Sequence, residues 1–154
     1  MLCYSCMNDR QDTTSNQPQS SPERTISSLL RAAHALENKL ESSLSRVGLS
    51  MPKYSVLSEL VTAREALSLS ELASRLSCVR SNMTQLVDRL EADGLVTRVN
   101  DPGDRRSVRA ALTDEGKARQ SAGAEEMSRL HEEFDSQLGA QERAALERLL
   151  TALK

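Results

Sequence analysis

Aromatic residues are nearly absent from this chain. Tyr4, Tyr54 and Phe134 are the whole set, 2% of 154 residues, with no Trp. A β-sandwich or barrel draws on many more aromatic and β-branched residues, so an all-β fold is excluded and a mainly helical one expected. No apolar run approaches the roughly 18 residues that a membrane helix needs. No basic segment followed by an apolar stretch marks a signal peptide at the N-terminus. Cys3, Cys6 and Cys78 are too few and too unevenly placed for a disulfide framework, which favours a cytoplasmic protein with reduced thiols. His34 and His131 are the only histidines, and no Gly-rich phosphate loop, HExxH or GxSxG occurs. The expectation is a protein that is no enzyme, with no cofactor and no metal site. Charge of one sign is also missing. Twenty basic residues face 22 acidic ones, for a net charge of −2, which by itself argues against a strongly basic nucleic-acid binder.

What is present is helical periodicity. Residues 1–24 read as a flexible tail, polar from Asn8 to Pro22. Met7 is an alternative start that would remove Cys3 and Cys6. Over 25–50, Leu29, Ala33, Leu36, Leu40, Leu44 and Val47 recur at steps of three and four, and Gly48 ends the helix. A second helix starts near Pro52, with Tyr54, Leu57, Leu60 and Val61 inward. Ser68 and Glu71 have capping-box spacing and open a short helix. After a break at 77–80, Met83, Leu86, Val87 and Leu90 define a helix from Ser81 to Asp93, closed by Gly94 and Leu95. The period then shortens. Leu95–Val99 and Ser107–Leu112 are strand candidates around the turn at 100–106, giving a β-hairpin. Thr113, Asp114 and Glu115 start a long helix, Gly139 interrupts it, and a last helix carries Leu146, Leu149, Leu150 and Leu153.

A short helix, a turn, a second helix and a basic hairpin make the plan of a winged helix-turn-helix. The apolar stripe of the 81–93 helix leaves Ser81, Asn82, Thr84 and Gln85 near its N-terminus on other faces. In this motif that end enters the major groove, where Asn and Gln can read adenine and Ser or Thr can bond bases or phosphates. Arg105 and Arg106 form the hairpin tip, suited to the negative potential of a narrow minor groove. Asp104 lies two residues before Arg106, close enough to orient it, and Arg80 at the helix start suits phosphate. Residues 98–109 hold four arginines against two aspartates, while 113–154 hold six basic residues against nine acidic. The near-zero average thus hides a positive wing, and balanced charge does not exclude DNA.

The segment Ser70–Ala73 through Leu86–Val96 resembles the helix-turn-helix core of the MarR family of transcriptional regulators. The wing signature is met by Asp104, Arg106, Leu112 and Thr113, with Ala110 where the family usually has a β-branched residue. The resemblance covers about residues 26–153. It implies a mainly α fold with a small β-hairpin wing: a winged helix-turn-helix (51–112) between a dimerisation helix (25–50) and C-terminal dimerisation helices (113–154). It further implies a cytoplasmic homodimer on double-stranded DNA, at a pseudo-palindromic operator with half-sites about 10 bp apart. The reading is a repressor whose DNA binding is modulated by a small ligand or by oxidation.

Other residues carry a functional reading beside a structural one. Cys78, just before the recognition helix, is a candidate redox sensor, or a small turn residue. Cys3 and Cys6 form an isolated CxxC. His131, near Glu132 and Asp135, lacks a clear ligand set for zinc. Arg31 and His34 are candidates for an effector pocket. Arg89 can pair with Glu91, Asp93 or a neighbouring domain. The competing reading is a helical dimer that no longer binds DNA and acts through protein partners.

Overall fold

The computed structural model describes residues 22–101, 103 and 108–153. The expectations for Cys3, Cys6, Asp104, Arg105 and Arg106 lie outside the described residues. The elements run α1 (Pro22–Ser45), α2 (Met51–Ala63), β1 (Leu67–Ser68), α3 (Leu69–Arg75), α4 (Arg80–Ala92), β2 (Val96–Asn100), β3 (Val108–Leu112), α5 (Asp114–Gln137) and α6 (Ala140–Ala152). The chain divides into two units, residues 1–34 and 35–154, with the boundary inside α1.

The first unit contributes the start of α1. The helix begins at Pro22, inside the segment expected to be tail, with Glu23 in a first turn that favours acids. Ile26, Leu29 and Leu30 are exposed there.

The second unit holds the core. Leu44, Val56, Leu57, Leu72, Met83, Val87 and Leu90 are fully buried. Three helix ends are closed by the same backbone device, in which one residue takes a left-handed conformation and two N–H groups turn back onto terminal carbonyls. At α1, Gly48 (φ +69°) donates to Ser45 O and Leu49 to Leu44 O. At α4, Gly94 (φ +73°) donates to Glu91 O and Leu95 to Leu90 O. At α3 the left-handed residue is Ser77 (φ 50°), and Cys78 N–H reaches Ala73 O at 2.9 Å. The expected break at 77–80 is therefore a helix cap built without glycine.

The sheet differs from the expected hairpin by one strand. β3 pairs antiparallel with β2 from Val96↔Leu112 to Asn100↔Val108, and also with β1 through Leu67↔Ala110 and Ser68↔Arg109. Ala110, at the centre of the three strands, is fully buried, as are Leu95 and Val96 nearby. The wing is joined to α5 through Thr113. Its hydroxyl accepts from Gly116 N–H at 3.0 Å and lies 2.7 Å from Gly94 O and 3.0 Å from Leu95 O. α5 approaches so closely that a Cβ on Gly116 would fall 2.0 Å from Leu95 O.

Candidate nucleic-acid interface

α4 starts at Arg80, one residue earlier than its periodicity suggests, because Val79 in extended conformation is its N-cap. Met83, Val87 and Leu90 fix the helix on the core. Arg80, Ser81, Asn82, Thr84 and Gln85 are all exposed around its N-terminal half. Four of them fall in two rows at helical spacing. Ser81, Thr84 and Asp88 form one, continuing toward the wing; Asn82, Gln85 and Arg89 form the other. The Thr84 hydroxyl donates to Arg80 O at 3.1 Å, which leaves its oxygen lone pairs outward.

The second row opens onto a cavity of about 450 Å³, bounded also by Ser55 of α2, Cys78 and Leu86. Four residues singled out in the sequence, Cys78, Asn82, Gln85 and Arg89, thus share one hollow. Cys78 is half-buried, packs against the core, and its Sγ lies 3.3 Å from Val79 O. Arg31 and His34 stand on the exposed start of α1, where Arg31 donates to Ser28 Oγ at 3.0 Å. His131 is exposed on α5. Among the described residues no three His, Cys, Asp or Glu side chains gather as a metal site.

The charge count of the wing is corrected by the structure. Arg98 of β2 does not project its charge outward: it ion-pairs with both Asp88 and Glu91 of α4. Those hydrogen bonds, Asp88 first, raise the guanidinium above its ordinary value. Arg109 of β3 donates to Asp101 Oδ2 at 2.5 Å and to Ala66 O at 3.0 Å, and lies 3.4 Å from Glu71. Both strand arginines bind the wing to the helices.

The same pairs decide the fate of Arg89. Glu91 is taken by Arg98, and Asp93 by Lys53 at 2.5 Å. Among the described residues, the Arg89 guanidinium has no partner. Its charge is left facing the cavity, a result the sequence hides because its rivals for those acids come from other segments.

Glu71 completes the capping box that opens α3. Ser68 N–H donates to Glu71 Oε2 at 2.8 Å, and Glu71 N–H to Ser68 Oγ at 3.2 Å. The Ser68 backbone bond, then the Ser68 side chain, hold the carboxyl below the usual glutamate range.

Comparison with known proteins follows the same outline. Residues 49–108 match the MarR family. The chain is 32% identical over 131 residues to the HTH-type transcriptional regulator PecS of Dickeya dadantii, covering 84% of this chain and 79% of that one. It is 38% identical over 105 residues to the HTH-type transcriptional regulator TtmR of Methylorubrum extorquens, covering 68% and 53%. It spans about half the length of that relative and of several other curated relatives it matches. Among solved structures, a cysteine-to-serine mutant of MarR from E. coli in complex with operator DNA superposes with a TM-score of 0.70 at 29% identity, covering 87% and 99%. Among the described residues no helix is long and apolar enough to cross a membrane.

Proposed function

Because the chain belongs to the MarR family, we propose that it is a dimeric, sequence-specific DNA-binding transcriptional regulator. The observation that carries this reading is α4, which spends its apolar stripe on the core and leaves Arg80, Ser81, Asn82, Thr84 and Gln85 exposed around one end. Amide and hydroxyl side chains there have the chemistry of base-edge readout, with Arg80 on phosphate. Arg106, oriented by Asp104, and Arg105 serve the wing. Residues 51–112 form the DNA-binding part, and 25–50 with 113–154 the dimerisation part. The exposed Leu149, Leu150 and Leu153 of α6 support that division.

In this reading the protein is a cytoplasmic repressor that occludes promoter DNA, and no residue has a catalytic role. A small effector or oxidation of Cys78 shifts the population from DNA-competent to incompetent dimers. Arg31 and His34 are the effector contacts expected from the sequence. The position of Cys78, in the α3–α4 cap beside the Asn82–Gln85 row, supports a thiol whose modification reaches the reading helix.

The test is binding to the DNA flanking its own gene across a salt series. Arg106→Ala should weaken binding and lower the salt slope by about one. Parent-like binding by that variant removes Arg106 from the interface. A parent chain that binds no duplex favours instead a helical dimer acting through protein partners.

A further inference from the structure

Arg98 is a cation held against the helix proposed to read DNA. Its side chain is 29% exposed, and its two terminal nitrogens go to different acids, Asp88 and Glu91, one turn apart on α4. Its backbone N–H also donates to Glu91 Oε1 at 3.2 Å. Behind it in the sheet, Ala110 is its register partner and is fully buried. β2 is thus held to α4 by main chain and side chain together. Asp88 belongs to the same helical row as Ser81 and Thr84.

Two carboxylates on a helix that faces phosphates oppose binding unless a cation answers them. Ion pairs of partly exposed side chains contribute modestly to fold stability. Beyond joining β2 to α4, the arrangement has something to offer the site. We infer that Arg98 is a positioning residue for DNA recognition: it locks wing strand β2 to α4, so that helix and hairpin meet the duplex in one fixed register. The inference rests on the DNA-binding reading above.

The lock predicts a result opposite to simple electrostatics. Neutralising Asp88 and Glu91 removes negative charge and should tighten binding to any duplex. If the acids hold the wing in register, it should also blunt discrimination. The experiment uses the full chain, a duplex that the parent selects from a random-sequence pool, and a shuffled duplex of equal composition. For Asp88→Asn/Glu91→Gln, the ratio of selected to shuffled affinity should fall about tenfold, the scale of one lost base-pair contact, while shuffled affinity holds or rises. Arg98→Gln should lower the ratio similarly. A general loss of folded protein lowers both affinities together and leaves the ratio untouched, and the amide variants are close isosteres. A parent that discriminates and an acid-pair variant that discriminates equally well overturn the lock alone. A parent that discriminates between no duplexes overturns the regulator reading, and the lock with it.

Discussion

α4 and α6 are both 13-residue amphipathic helices, yet they end in opposite conditions. α4 buries Met83, Val87 and Leu90 within its own chain and presents polar side chains outward. No residue of α6 is fully buried, and Leu149 and the C-cap Leu153 stand 66% and 69% exposed. Amphipathic periodicity says that a helix needs an apolar partner, not where the partner comes from. For α4 the partners are α3, β2 and α2. For α6 an exposed leucine face of this size fits a second chain.

The contrast can be broken from either side. Leu90→Ala opens a cavity in a fully packed core and should cost about 2–5 kcal/mol, read by chemical denaturation. A loss well below that range would mean that the core relaxes around the site. Gly116→Ala comes next. In an exposed helix interior the change gains up to about 1 kcal/mol, but here the new methyl meets backbone at Leu95 O, and a loss of about 1–3 kcal/mol is expected. A stabilised variant would show that α5 can slide off the hairpin. Leu149→Ser/Leu153→Ser should leave helical content intact and shift sedimentation from dimer toward monomer. Unchanged mass would place the dimer contact elsewhere.

The smallest effect concerns pH. Glu71 has a lowered carboxyl value in the folded state, so its contribution is present above the unfolded value. It is lost as pH falls through the lowered folded one. Thermal midpoints of the parent and Glu71→Gln should therefore converge only below the ordinary glutamate range. A difference independent of pH down to that range's lower edge would remove Glu71 from the acid response.

Much of this architecture was legible because its signals are local. Ser68 with Glu71, Gly48, Gly94 with Leu95, and Thr113 before α5 each act within a few residues. Gly116 gave no signal, because its constraint is the carbonyl of Leu95, which the hairpin returns to it. β1 is two residues long and exists only through β3, 43 residues away at Leu67↔Ala110. The pairing of Arg98 was hidden for the same reason, because its partners Asp88 and Glu91 lie outside the 98–109 window and reach it only in space. The exposure of the polar row on α4 was readable as well, since it follows from the helical spacing of Met83, Val87 and Leu90 alone.

The Thr113 junction also has a mechanical side. The Thr113 hydroxyl and the bare Cα of Gly116 press the first turn of α5 against Gly94 and Leu95, so that end of the helix cannot translate without dragging the hairpin. A tilt about that end would leave the junction in place and strain contacts farther along, such as Lys39 Nζ to Glu133 at 2.8 Å. A helix of 24 residues is about 36 Å long, so tilting it by about 5° there swings its far end by about 3 Å. Tilted in that way, α5 would be a lever with its fulcrum at the wing.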